Sequence, residues 1–186
     1  GKTSVLRCLL GLVPFTGRAT IDGYDVVRAP VAARQRVGYV PQKAAFGDAR
    51  AGEVLSFVAR VRGVDPRAAV ALLRDVGLEA HATERVRTFS GGMQQRLALA
   101  VALVGDPPAL LLDEPSASLD EEGRAMFHEM VARLRRAGHT LLLASHRPEE
   151  VAALTDRVLH VERGRLAETG APRAHVIPLV SRRERR

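Results

Sequence analysis

The sequence predicts an α/β fold with a mainly parallel sheet flanked by helices, and three observations carry that prediction. Short apolar runs of strand length, "ALLLDEP" (residues 109–115), "TLLLASH" (140–146) and "RVLHVERG" (157–164), alternate with helical patterns. Parallel strands need crossover connections, so this order implies right-handed crossovers and helices over both faces of the sheet. The length of 186 residues, 46% hydrophobic and 26% charged, fits one domain with a sizeable core. Finally, Gln42, Asp113, Glu114 and His146 each stand at the end of an apolar run. In open α/β sheets, chemistry gathers at the carboxyl ends of the strands.

The elements follow in order. From Lys2, the residues Val5, Leu6, Leu9, Leu10 and Leu12 recur at helical spacing, which predicts a helix ending near Pro14 and Gly17. "RATIDG" (18–23) reads as a short strand into a turn, and "RVGYVPQ" (36–42) as a short strand broken by Pro41. Residues 52–63 and 66–76 read as two short helices, each with a polar face. A long helix is expected between "TFSGG" and Gly105, with Leu97, Ala100, Val101 and Val104 on one side. The helix over 121–137 presents Phe127, Met130, Val131 and Leu134 on one face, and a last helix over 148–154 precedes the third apolar run and a glycine-containing turn.

Charge and composition narrow the function classes. A net charge of +7 and a pI near 10.8 would suit an acidic partner. Only Lys2 and Lys43 are lysines, however, so 26 of the 28 basic residues are arginines, and they are scattered along the chain. A nucleic-acid stripe would cluster its charge, so no nucleic acid is expected. The one cluster, "SRRERR" (181–186), reads as a solvated, frayed tail, with a lipid or RNA contact as the alternative. The single cysteine, Cys8, excludes an internal disulfide, agrees with a reducing compartment and reads as a small buried hydrophobe. The longest apolar run, "LALAVALVG" (97–105), falls short of the ~20 residues that span a bilayer, so any membrane role must come through a partner.

Three groups of residues carry chemistry. "GKT" (1–3) at a helix start matches the second half of a phosphate-binding loop. Lys2 supplies a cation, Thr3 a hydroxyl for Mg²⁺, and the helix start free N–H groups. "LLLDEP" puts one carboxylate, Asp113, where it can hold Mg²⁺ and a second, Glu114, where it can accept a proton from attacking water. An acidic helix cap would explain one acid but not both. "FSGGMQQR" (89–96) places Ser90, Gly91 and Gly92 at a helix start open to an anion, although an ordinary serine cap explains that stretch equally well when it is taken alone.

Taken together, the phosphate loop, Gln42 after "GYVP", "SGG", "LLLDEP", "SASLD" and "ASH" occur once each and in this order. This set resembles the ATP-binding subunit of ABC transporters from Gly1 to about Gly170. The resemblance implies a P-loop NTPase fold with a small helical subdomain at about 44–104 that carries the signature motif, followed by a basic tail over 171–186. It implies that Gly1, Lys2, Thr3 and Ser4 bind ATP phosphates, with Thr3, Gln42 and Asp113 around Mg²⁺. Glu114 is implied as the general base or water-orienting carboxylate. His146 is implied as the switch histidine bracing the γ-phosphate, and Gln42 as the glutamine that reaches the attacking water and senses the membrane partner. Ser90, Gly91 and Gly92 would act in trans on ATP held by a second subunit, and Asp120 of "SASLD" would cross that interface. The implied assembly is a head-to-tail homodimer or heterodimer with ATP at its interface, bound to a membrane-spanning permease at the cytoplasmic face of the cell membrane.

Two departures from the family pattern matter. The signature reads Phe89-Ser90-Gly91-Gly92-Met93 in place of Leu-Ser-Gly-Gly-Gln, which resembles the export-type branch. The stretch from "GEVLSFVARVRG" to "ERVRTFSGG" is similar to ATPases of multidrug exporters and of the copper-maturation transporter of nitrous-oxide reductase. The chain also begins inside the phosphate loop, without its first half, the strand that feeds it or the upstream adenine-stacking aromatic. The expectations are a truncated form of a longer subunit, weak ATP binding by the 186 residues alone, and a strand absent from the middle of the sheet. Two other classes remain. A soluble ABC-type ATPase acting on ribosomes or DNA would usually need a tandem unit or a coiled-coil insertion, and the 87 positions from Thr3 to Ser90 leave no room for the latter. A non-hydrolysing regulatory subunit sits poorly with the presence of both Glu114 and His146.

Overall fold

The computed structural model describes residues 1–162 and 165–166, so the basic tail and the glycine of the last turn lie outside the described residues. The first helix, α1 (Lys2–Leu9), is followed by a small antiparallel hairpin of β1 (Thr20–Ile21) and β2 (Tyr24–Asp25), then by α2 (Pro30–Gln35) and β3 (Val37–Val40). Next come α3 (Ala51–Arg62), α4 (Pro66–Asp75), two 3-10 turns (Glu79–His81 and Val86–Thr88) and α5 (Gly91–Leu103). The chain then runs through β4 (Ala109–Asp113), α6 (Glu121–Arg136), β5 (Thr140–Ala144), α7 (Pro148–Leu154), β6 (Val161–Glu162) and β7 (Arg165–Leu166).

The centre is a parallel sheet in the order β3-β4-β5, in register from Val37 opposite Ala109 to Val40 opposite Leu112 and from Ala109 opposite Thr140 to Asp113 opposite Ala144. Side chains alternate across a strand, and each set finds its own cover. Val37, Ala109, Leu111 and Ala144 meet Leu6 of α1, Leu10 just after it, Ile21 of β1, Val26 just after β2 and Ala33 of α2. Val40, Leu110 and Leu112 meet α5 and Phe127, Met130 and Val131 of α6. All five residues of β4 are therefore buried, which is why its sequence is a continuous apolar run. In β5, by contrast, Thr140, Leu141, Leu142 and Leu143 are each partly exposed, and its hydrogen-bonded neighbour among the described residues is β4 alone.

Local chemistry sets the element ends. Asp65, ahead of Pro66, accepts the Arg67 N–H and starts α4, while Glu53 accepts the Arg50 N–H at the start of α3. Glu121 and Glu122 sit in the first turn of α6 and Arg133, Arg135 and Arg136 in its last, in the sense the helix dipole favours. α3 and α4 pack on each other and on α5, and the Arg62 guanidinium donates to the Val37 carbonyl at 2.7 Å, tying the end of α3 to the start of β3.

Four sequence expectations are corrected. α1 stops at Leu9, short of Pro14, because the chain turns through Gly11 at φ 68°. β6 does not extend the parallel sheet; it pairs antiparallel with β7. The second half of α5 is buried on nearly every side, with Ala98, Leu99, Ala102 and Leu103 buried as well as Leu97 and Ala100, while Val101 is only partly covered. It lies between the sheet and α3 and α4, so it has no single apolar side. Cys8 is partly exposed, since α1 covers the sheet chiefly through Leu6.

Candidate functional site

The site forms at the carboxyl ends of β4 and β5, where α1 begins. Gly1 caps α1 and Lys2 and Thr3 open it, so the packing of Leu6 against the sheet delivers both side chains to the end of β4. The Thr3 hydroxyl donates to Asp113 Oδ1 at 3.1 Å. Lys2 Nζ lies 3.8 Å from Glu114 Oε1, and Glu114 Oε2 stands 2.7 Å from Nδ1 of His146. Three stretches far apart in sequence thus converge, bringing together Lys2 and Thr3, Asp113 and Glu114, and His146.

Burial divides their capacities. Asp113, the last residue of β4, is 1% exposed, and its Oδ2 is enclosed without a hydrogen-bond partner. A buried acceptor left unpaired costs about 1–3 kcal/mol, more when charged, and such a group calls for an unbound partner such as a cation. Its negative charge is felt on the neighbouring strand. Burial first, and Asp113 second, push the Tyr39 phenol above its usual range, with Arg7 of α1 opposing. The donors at this point, one carboxylate and one hydroxyl, are hard oxygens of the kind Mg²⁺ takes. Mg²⁺ keeps several waters and substrate phosphates as ligands, so a pair of protein oxygens fits it. Among the described residues no cluster of three or more His, Cys, Asp or Glu could hold a metal by itself.

Glu114 follows directly and is held in an unusual pose. Its φ is 50°, in the left-handed region that non-glycine residues rarely enter, and its N–H donates to the Ala144 carbonyl at 2.8 Å. Strain of this kind costs on the order of 1–3 kcal/mol and concentrates at functional sites. The backbone thereby turns away from β4 while the carboxylate faces Lys2 and His146, whose side chains are 45% and 65% exposed. A buried carboxylate is therefore flanked by two groups that solvent, and an incoming anion, can reach.

The other expected site residues form separate groups. Ser90 caps α5 and its Oγ accepts the Met93 N–H at 3.2 Å, while Gly91 and Gly92 pack against Ser118. Asp120 caps α6 by accepting the Gly123 N–H at 2.8 Å. The "SGG" start and the "SASLD" segment are thus neighbours, and the second is tied back to the cluster only through its backbone, the Ala117 N–H donating to the Glu114 carbonyl at 3.1 Å. Gln42 and Ser4 are exposed. Two supporting residues carry no signal of their own in sequence. Gln95 on α5 is 3% exposed and donates to the Pro41 carbonyl at 3.3 Å, bridging the helix that starts at Ser90 and the residue before Gln42. Glu150 on α7 is 2% exposed and accepts from the Ser145 hydroxyl beside His146. Gln95 stands just ahead of an apolar run and Glu150 in the first turn of a helix, where acids are ordinary, so neither is set apart by its neighbours in sequence.

Comparison with known proteins bears on this arrangement. A family model described as ABC transporter matches residues 1–117. The ABC transporter ATP-binding protein NatA of Bacillus subtilis is 35% identical over 178 residues, covering 92% of this chain and 72% of NatA. The Nod factor export ATP-binding protein I of Burkholderia lata is 41% identical over 180 residues, covering 94% of this chain and 59% of that protein. The phospholipid-transporting ATPase ABCA3 of Rattus norvegicus is 37% identical over 178 residues, and the match covers 92% of this chain but spans only 10% of ABCA3. Among solved structures, a bacterial Atm1-family ABC exporter with ATP bound superposes with a TM-score of 0.79 at 27% identity, covering 90% of this chain and 31% of the exporter chain.

Proposed function

This chain belongs to the ABC transporter family, and we propose that it is the part of such a protein that binds and hydrolyses Mg-ATP to drive an exporter through a membrane-spanning permease. The observation that carries the reading is the buried Glu114 carboxylate, fixed at the end of β4 between Lys2 and His146 and next to the Thr3–Asp113 pair.

The chemistry follows from that geometry. Phosphoryl transfer depends on positioning and on charge stabilisation more than on covalent chemistry. Mg²⁺ would neutralise charge on the β- and γ-phosphates, held by the Thr3 hydroxyl and Asp113, whose Oδ2 is enclosed and unpaired. An incoming triphosphate draws the Lys2 ammonium from Glu114 onto its oxygens, since a phosphate carries more charge than one carboxylate. Glu114, released on that side, accepts the proton of the attacking water. His146, bound to Glu114 through Nδ1, would hold that carboxylate in place and leave Nε2 for the γ-phosphate. Gln42, exposed just beyond β3, would orient the same water. Gly1 and Ser4 line the phosphate end of α1.

Among the described residues Ser90, Gly91, Gly92 and Asp120 make no hydrogen bond or ion pair to Lys2, Thr3, Asp113, Glu114 or His146, which supports a second ATPase subunit completing each site head to tail. Binding of ATP to the closed pair, tighter than to the open one, would then drive the permease by population shift. Among the described residues no helix is long and apolar enough to cross a membrane. Attachment to the cytoplasmic face of the membrane would come through the permease, and exposed Phe57 and Val61, 64% and 68% accessible and four residues apart on α3, are the apolar pair offered for it. Export as the direction is supported by the relative named for Nod factor export and by the exporter structure. A soluble role at ribosomes or on DNA has no comparable support.

Glu114→Gln in the complete protein is the test. Loss of the proton acceptor with the shape retained should lower turnover by about a hundredfold or more and trap an ATP-bound dimer on a sizing column. Undiminished turnover in that variant refutes the assignment.

A further inference from the structure

His146 is the most exposed member of the cluster, and its imidazole touches the site through a single bond to Glu114. Little packing holds a ring that is 65% exposed, so its orientation must come from the backbone that carries it. That backbone is held at two points: the His146 N–H donates to Glu114 Oε2 at 3.4 Å, and the turn around it is closed by one hydroxyl. Ser145 Oγ accepts the Arg147 N–H at 3.1 Å, closing a turn around His146, and donates its own proton to Glu150 Oε2. Glu150 lies in the first turn of α7 and is 2% exposed, and its other oxygen, Oε1, is enclosed with no partner.

A carboxylate buried on one hydrogen bond from a neutral hydroxyl is an expensive way to join a helix to a strand. An apolar residue would pack there at no such cost, which points to a task that only an acceptor can perform. The acceptor fixes the direction of the Ser145 hydroxyl. The proton goes to Glu150, so the lone pair is left facing the Arg147 N–H, and the turn closes in one geometry.

We propose that Glu150 is a positioning residue for the hydrolysis reaction: through Ser145 it locks the turn that carries His146, and so keeps the imidazole on Glu114. The proposal rests on the ATPase reading above. It makes α7 a brace for the γ-phosphate side of the site, and it makes Ser145 as important as its more visible neighbour.

The test uses the complete protein and steady-state ATP hydrolysis. Ser145→Ala should lower kcat about tenfold with KM for ATP within about twofold, because a misplacement near 1 Å at a reacting geometry costs one to two powers of ten while ground-state binding is untouched. Ser145→Thr, which restores the hydroxyl, should recover most of the rate. Glu150→Gln, which keeps an acceptor oxygen and removes the buried charge, should also stay near the parent rate, whereas Glu150→Ala should match Ser145→Ala. In a His146→Ala background, Ser145→Ala should have no further effect on the residual turnover, since residues acting through one another are not additive. A lowered melting temperature with unchanged kcat for Ser145→Ala, or an equal loss with and without His146, overturns the proposal and leaves α7 a structural support only. Should Glu114→Gln and His146→Ala both turn over like the parent, the ATPase reading itself fails. Should they fall while Ser145→Ala does not, only this inference fails.

Discussion

Gly38→Ala is the substitution whose consequence the structure fixes most directly. Gly38 lies in β3, where α5 crosses so closely that an added Cβ would stand 2.0 Å from the Ala102 carbonyl oxygen, 2.8 Å from its carbon and 2.6 Å from Leu110 Cδ2. The leucine could turn aside, but the helix backbone could not. Restoring the 3.4 Å at which ordinary contact begins requires β3 and α5 to separate by about 1.4 Å, the difference between those two distances. That gap would open a core containing Val40, Leu99, Ala102, Leu103 and Leu110. Overpacking costs roughly 1–3 kcal/mol, and weaker dispersion along a displaced helix adds to it, so a total of about 3–5 kcal/mol is expected. Against a total stability of roughly 5–15 kcal/mol this is a large fraction. In thermal denaturation it should lower Tm by on the order of 10 °C for a chain of this size. Function should suffer as well, since α5 carries Ser90 at its start and Gln95 against Pro41. A Gly38→Ala protein within about 1 kcal/mol of the parent would refute the close approach and the coupling drawn from it.

Three further outcomes are expected. Asp113→Asn should raise the Mg²⁺ concentration needed for half-maximal ATP turnover by about tenfold or more, measured by Mg²⁺ titration of the hydrolysis rate; an unchanged requirement would remove Asp113 from the cation site. Phe57→Glu should abolish co-purification with the permease while leaving ATP binding by the isolated protein intact, and retained co-purification would move the docking surface away from α3. Asp25 is held below its ordinary 3.8 by the backbone N–H groups of Arg28 and Val27, with the Arg28 and Arg18 charges as smaller aids. A lowered carboxylate pKa stabilises the fold above 3.8 and loses that contribution as pH falls toward the folded value, so the β1–β2 hairpin should loosen only in acid. A carboxyl titration of Asp25 by NMR with its midpoint at or above 3.8 would contradict this.

What could be read from the sequence was whatever had a period or a special residue type. "ALLLDEP" announced a strand covered on both faces, because a strand with no solvent side has no reason to alternate, and all of β4 is indeed buried. Pro41, Pro66, Pro148 and Gly63 marked element ends through fixed backbone geometry. α5 misled for the complementary reason. A stripe presupposes a broad solvent face, and the second half of a helix lying between a sheet and two other helices leaves only Val101 partly open. β6 misled because an apolar run states that a strand exists but not which edge it joins.

The same distinction explains which parts of the site were legible. Lys2, Thr3, Asp113, Glu114 and His146 are the residues that would meet ligand, and the reaction constrains their chemistry, so their types and order carry information. Gln95, Ser145 and Glu150 meet only the protein. Their requirement is an acceptor or donor at one point in space, and that point is defined by elements distant in sequence, as when Gln95 reaches Pro41 across 54 positions. Nothing local in "QQRLALA" or "SHRPEEV" separates such a residue from a solvated one, and burial alone makes the distinction. Of the residues in this second group, Glu150 has the clearer physical motive. Gln95 uses its buried polar atoms on a bond that also joins two packed elements, whereas Glu150 leaves one oxygen unpaired and braces a turn whose single exposed product is the imidazole on Glu114. A fold selected only for stability would replace that carboxylate with an apolar side chain, so the buried acceptor is best understood through what it does for His146.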